Sequence, residues 1–139
     1  MTENTQDFDA VLSQLKFDDA GLIPAIAQDA DGGDVLMMAW MNRDAVRETL
    51  TTRRVCYWSR SRKALWRKGE TSGQAQSLVD FRFDCDGDCL LLLVRQEGVA
   101  CHTGRRSCFF MAERDGAATA IAPVLIPEEE LYGKKEKKG

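Results

Sequence analysis

The stretch Val79-Asp80-Phe81-Arg82-Phe83-Asp84-Cys85-Asp86 alternates apolar and charged side chains. Successive side chains of an extended chain point to opposite faces of a sheet, so this period of two predicts a strand with one buried and one solvated face. Directly after it, residues 89–95, with the apolar run Leu90 to Val94 inside, read as a buried strand. Residues 107–113 read as a further strand, joined to the previous one by the glycine-bounded loop 98–104.

Working back from there, residues 22–27 and 35–41 are apolar runs separated by Asp31-Gly32-Gly33-Asp34, a turn signal that reads as a hairpin. Asn42 is placed to cap a helix over residues 43–51, with Ala45, Val46, Thr49 and Leu50 on its buried side. Residues 55–59 read as a strand, and the polar, glycine-punctuated stretch 68–73 as a loop. At the start, Phe8, Val11, Leu12 and Leu15 recur at helical spacing after a capping Asp7. Strands dominate the middle, with helices before and between them. The expected fold is a single compact α+β domain on a mainly antiparallel, strongly curved sheet with a few packed helices.

With 139 residues and 44% hydrophobic content, the chain suits one core, over residues 1–127, followed by a charged tail at 128–139. No apolar run approaches the roughly 20 residues of a membrane helix, and no basic segment precedes an apolar one near the start. A cytoplasmic protein with no membrane partner is expected. Its five cysteines are an odd number, which together with that compartment favours metal ligands or buried thiols over disulfides. The net charge is −3, yet Arg53, Arg54, Arg60, Arg62, Lys63, Arg67 and Lys68 follow one another with no acidic residue between Thr51 and Gly69. Such a block suits an anionic ligand, or simply a solvated basic face.

Three groups of residues carry chemistry. Cys85, Cys101 and Cys108 lack the paired spacing of a structural zinc finger; three thiolates with an open position would suit a catalytic zinc, and buried free thiols are the alternative. Asp84, Asp86 and Asp88 would repel one another unless solvent or a hard cation such as magnesium relieves them. His102, the single histidine, follows Cys101 directly and can move protons near neutrality. Trp66 lies in a polar run where Lys68, Glu70, Ser72 and Gln76 offer hydrogen bonds, and Gly69 and Gly73 let backbone amides approach a phosphate.

Taken together, Met38-Ala39-Trp40-Met41-Asn42, Tyr57-Trp58-Ser59-Arg60-Ser61-Arg62, Leu65-Trp66-Arg67-Lys68-Gly69-Glu70-Thr71-Ser72-Gly73, Asp84-Cys85-Asp86-Gly87-Asp88, and Ala100-Cys101-His102-Thr103-Gly104 with Ser107-Cys108-Phe109 resemble the phosphoribosyl-AMP cyclohydrolase family. The resemblance runs in order over about residues 15 to 115. It implies hydrolytic opening of the adenine ring of a phosphorylated nucleotide in histidine biosynthesis, by a zinc-activated water with His102 handling protons. It further implies zinc on Cys85, Cys101 and Cys108 contributed across a homodimer interface, magnesium near Asp84, Asp86 and Asp88, and a nucleotide held by Arg60, Ser61, Arg62, Trp66, Lys68, Glu70, Ser72 and Gly73. Cys56 and Cys89 depart from the family pattern, and Cys89 is a competing ligand. Some relatives continue into a pyrophosphohydrolase domain, an activity expected here on another protein. Two readings of other classes are a single-stranded RNA-binding module using the basic and aromatic stretch 53–68, and a thiol-based redox or zinc-storage protein, against which the lack of any paired cysteines counts.

Overall fold

The computed structural model describes residues 8–127 together with 129 and 130. The capping Asp7 and, apart from Glu129 and Glu130, the expected tail lie outside the described residues. The first helix, α1 (Asp9–Leu12), is a single turn that buries Leu12. It stops short of Leu15 because the amides of Gln14 and Leu15 take three-residue turn bonds, and Lys16 N–H donates to Gly87 O.

β1 (Ile23–Asp29) and β2 (Val35–Met41) form the expected antiparallel hairpin. Asn42 Oδ1 accepts the Ala45 N–H at 2.9 Å and starts α2 (Arg43–Thr52), which buries Ala45, Val46, Thr49 and Leu50 as its spacing predicts. Thr49 Oγ1 then accepts the Cys56 N–H and donates to Cys56 O, fastening the helix to β3 (Cys56–Ser59). A second hairpin pairs β3 with β4 (Ala64–Arg67), a strand too short to show a period in the sequence.

The alternating stretch is a strand with its bounds moved. β5 runs Gln76–Phe83, and Asp84 to Asp86 belong to the turn that follows. Its register slips between Leu78 and Asp80, leaving Val79 bulged and 42% exposed, so Val79 and the downstream phenylalanines do not share one buried face. β6 (Leu90–Gln96) pairs antiparallel with β5 and parallel with β1, setting Ala25 beside Leu90 and Ala27 beside Leu92. Small against large fills the core, and all four side chains are fully buried.

The six strands form one curled sheet in the order β4-β3-β2-β1-β6-β5. The sheet is mixed: its single parallel joint, β1 to β6, departs from an otherwise antiparallel arrangement. The strand expected over residues 107–113 is displaced. Ser107 and Cys108 instead bond to the carbonyls of Val35 and Leu36 on the edge of β2, and a separate hairpin of β7 (Met111–Arg114) and β8 (Ala117–Ala120) follows.

Candidate active site

The segment after β6 folds back on itself. Ala100 N–H donates to Arg106 O and Cys101 N–H to Arg105 O, while Gly104 N–H closes a tight turn on Cys101 O at 3.0 Å. Cys101 is buried at the base of that turn and His102 exposed at its tip. Thr103 Oγ1 donates to Cys101 Sγ at 3.1 Å. The bond from Cys108 N–H to Leu36 O, at 2.7 Å, brings the chain back so that Cys108 lies beside Cys101 on the same cleft.

A second loop forms the opposite wall. Lys68 Nζ donates to Ala100 O at 2.9 Å, tying the end of β4 to the cysteine turn. At Gly69, with φ of 89°, a Cβ would lie 2.5 Å from the Ala75 amide, so only glycine allows the loop to double back. Under both walls lies a buried polar chain in which Tyr57 O–H donates to Gln76 Oε1 at 2.7 Å and Gln76 Nε2 donates to Gln96 Oε1 at 2.8 Å. Gln96 in turn donates to the carbonyls of Gln74 and Val99, and Gln74 Oε1 accepts the Val99 N–H, so one network holds both loops. Between them opens a cleft lined by Trp66, Lys68, Ser72, Cys101, His102 and Cys108, with Met37 at its floor.

The electrostatics of this cleft are those of a cation beside two thiols. Burial lowers the Lys68 pKa, opposed by Cys108 and Cys101. Cys108 retains solvent-accessible surface, but the protein packed on its other side and the neighbouring Cys101 push its thiol up to about 12, against the pull of Lys68. In this state the Cys108 thiol is protonated at neutral pH, and an added soft cation is what would hold it as a thiolate.

Not all the anticipated residues converge here. Trp66, Lys68, Ser72, Cys101, His102 and Cys108 do, with Gly73 in the same loop. Glu70 faces an adjoining hollow with Arg54 and Arg67. Arg60, Ser61 and Arg62 lie at the tip of the β3–β4 turn, where Arg60 stacks over Trp40 at 4.7 Å. The basic stretch is therefore no continuous face: Arg67 pairs with Glu48, Lys68 turns inward and Arg60 lies on Trp40. Cys85 lies in the turn beyond the far end of β5, a strand that carries the chain about 20 Å away from Gln76 at its cleft end. Around it, Asp88 N–H donates to Asp84 Oδ1, and the Asp88 carboxyl is held above its ordinary range first by Asp84 and further by Asp86. Among the described residues no three His, Cys, Asp or Glu side chains come close enough to hold a metal.

A model of the phosphoribosyl-AMP cyclohydrolase family matches residues 37–110, which include both walls of the cleft and the acidic turn. The chain belongs to the phosphoribosyl-AMP cyclohydrolase family. It is 63% identical over 130 residues to the phosphoribosyl-AMP cyclohydrolase of Rhodospirillum centenum, covering 94% of this chain and 98% of the relative. The proteins of that name from Paramagnetospirillum magneticum and Hydrogenovibrio crunogenus are each 62% identical over 128 residues, covering 92% of this chain and 97% and 87% of theirs.

In a member of the cyclohydrolase family, an enzyme family of histidine biosynthesis, the donor chemistry suits the expected zinc and magnesium, but among the described residues no complete ligand set comes together. Two adjoining thiols can accept a soft ion and two adjoining carboxylates a hard one, and the third thiol lies apart. Sequence reasoning missed the Gln74 and Gln96 supports and the part of Thr103. Glutamines carry no spacing signal, and only their burial between two loops reveals them. No helix among the described residues is long and apolar enough to cross a membrane.

Proposed function

We propose that the chain opens the adenine ring of phosphoribosyl-AMP by hydrolysis at the N1–C6 bond, acting in the cytoplasm as a homodimer. The observation that carries the reading is the convergence of Lys68, His102, Cys101 and Cys108 on one cleft beside Trp66. Cys101 and Cys108 of one subunit, with Cys85 of the partner subunit, would hold zinc. That division is supported by the adjoining pair in the cleft and by the distance of Cys85 from it within one chain. Isologous twofold pairing would complete two such sites per dimer. Bound there, zinc supplies Lewis acidity, which makes water a nucleophile at neutral pH.

The chain's own residues do the rest. Trp66, braced against Tyr57 with ring centroids 5.4 Å apart, offers a face to the base. Arg60 and Arg62 lie roughly 10 Å from Trp66 along β4, a span suited to a nucleotide with a ribose phosphate on each side of its base. Lys68, fixed by Ala100 O, would offset the negative charge that the thiols take on when they hold zinc. The exposed His102 imidazole accepts a proton from the attacking water and returns it to the leaving N1. Asp84 and Asp88 would share magnesium, which relieves their crowding.

The test is spectroscopic. Protein loaded with zinc and magnesium should change the ultraviolet spectrum of phosphoribosyl-AMP as the ring opens, and Asp84→Asn should raise the magnesium needed. Absence of ring opening by the doubly loaded protein overturns the proposal; full rate without magnesium reduces the acidic cluster to a solvated turn.

A further inference from the structure

After Cys108 the chain travels through β7 and β8 and then returns to the turn it left. Ile121 N–H donates to Phe110 O at 2.7 Å, closing the base of the hairpin. Beyond it, the amides of Leu125 and Ile126 both donate to Gly104 O, at 2.8 and 3.1 Å. Arg105 Nε donates to Ala122 O at 2.9 Å, and its guanidinium lies over the Phe110 ring at 4.0 Å. Residues 121–126 thus form a strap across the back of the turn that presents His102. The fit is close: at Gly104, with φ of 88°, a Cβ would come within 1.7 Å of Ile126 O. Pro123 stiffens the strap by fixing its own φ.

We propose that this strap positions His102, and that Arg105 is its principal anchor and a positioning residue for the ring-opening reaction. The inference rests on the reading of His102 as the proton carrier. Two observations separate positioning from general stability. Ile121, Val124 and Leu125 are 51%, 46% and 58% exposed, so the strap buries little of its apolar surface, and it takes no part in the core cluster. Beyond Ile121, its hydrogen bonds are spent on Gly104, the last residue of the four-residue turn, and on Arg105, which follows it. The opposite flank is pinned separately, by the bond from Lys68 Nζ to Ala100 O. Without the strap the turn would be held from one side only, and the imidazole at its tip would sample positions away from the reacting atoms. The strap lies outside residues 37–110, the part that the family model matches.

The experiment compares Arg105→Gln, Arg105→Lys and His102→Ala in the full-length metal-loaded protein. Arg105→Gln should lower kcat roughly 10-fold with KM nearly unchanged, since even small misplacement of a reacting group is costly. Exchange of the Cys101 and Gly104 amide protons should quicken by about tenfold while those of β1 and β6 keep their protection. Arg105→Lys keeps a cation over Phe110 without the directed Nε donor, so it should recover only part of kcat. Unchanged kcat, or unchanged exchange at Gly104, in Arg105→Gln overturns the strap as a positioning device. Should Arg105→Gln fail to fold, Ile126→Pro, which removes one donor to Gly104, must show the same paired changes or the proposal falls. A His102→Ala protein with full rate would overturn the assignment of His102 and with it this proposal, whereas an inactive His102→Ala beside a normal Arg105→Gln overturns the strap alone.

Discussion

The ammonium of Lys68 donates to the backbone carbonyl of Ala100 across 2.9 Å, joining two segments that are 32 residues apart in sequence. The same ammonium is the cation that draws the Cys108 pKa downward. Lys68→Met should therefore leave Ala100 O without its donor and let protons compete better for the thiol. Zinc affinity at pH 7, measured by chelator competition, should fall, because metal binding must displace a more firmly held proton from Cys108. Wild-type affinity in the mutant would show that Lys68 serves the substrate alone.

The separation of Cys85 from the Cys101 and Cys108 pair yields a complementation test. Cys85→Ser and Cys101→Ser proteins should each lose zinc and activity. Mixed after partial unfolding and reassembly, they should form dimers with one intact site, because the Cys85→Ser chain contributes Cys101 and Cys108 and its partner contributes Cys85. No recovery on mixing would mean that each site draws all its thiols from one chain, and loss of zinc on Cys89→Ser would add a ligand.

His102→Ala should lower kcat by roughly 10² to 10⁴ while zinc content stays at the wild-type level. Its exposed place at the tip of the turn, opposite in role to the buried Cys101, motivates the split between rate and metal. Zinc loss would instead make it a ligand. Normal rate with normal zinc would leave the reaction without its proton carrier.

Cys56 provides a stability measurement away from the site. Its thiol is fully buried and is pushed up to about 11 from an ordinary 9.0, first by burial and then by Glu48. Because the folded pKa is the higher, the unfolded chain ionises first. The stability contributed by this group is complete below about pH 9 and is lost as pH rises through about 11. Urea midpoints of Cys56→Ala measured from pH 8 upward should decline less steeply than those of the wild type. Parallel declines would show that Cys56 does not contribute to the alkaline loss.

Much of the scaffold was legible because its signals are local. Asn42 and the four buried positions of α2 follow from capping and a 3.6-residue period, and the Asp31 to Asp34 turn from its glycines. What escaped depends on partners distant in sequence. The bulge at Val79 breaks an alternation that looks unbroken in the chain, and Ser107 and Cys108 give their bonds to β2 instead of starting a strand. The parallel contact of β1 with β6 has no sequence signature, because both strands are apolar whatever lies beside them. At the site, the motif residues were visible, but which of them share a cleft was not. Cys101 and Cys108 meet through a carbonyl of β2, and Arg60 and Cys85 are carried elsewhere on turns at the strand ends.

The parallel pairing of β1 with β6 also has a kinetic meaning. Each of the hairpins β1–β2, β3–β4 and β5–β6 can close through short loops, but Ala25 must find Leu90 across 65 residues of chain. Closing that long loop costs entropy before any contact repays it, so docking of the finished hairpins along this seam should be the slow event in folding. Weakening the seam at Ala27 or Leu92 would then slow refolding, whereas changes confined to the β7–β8 hairpin would leave the rate alone. The cleft, with one wall on each side of the seam, comes into being only when that last step is complete.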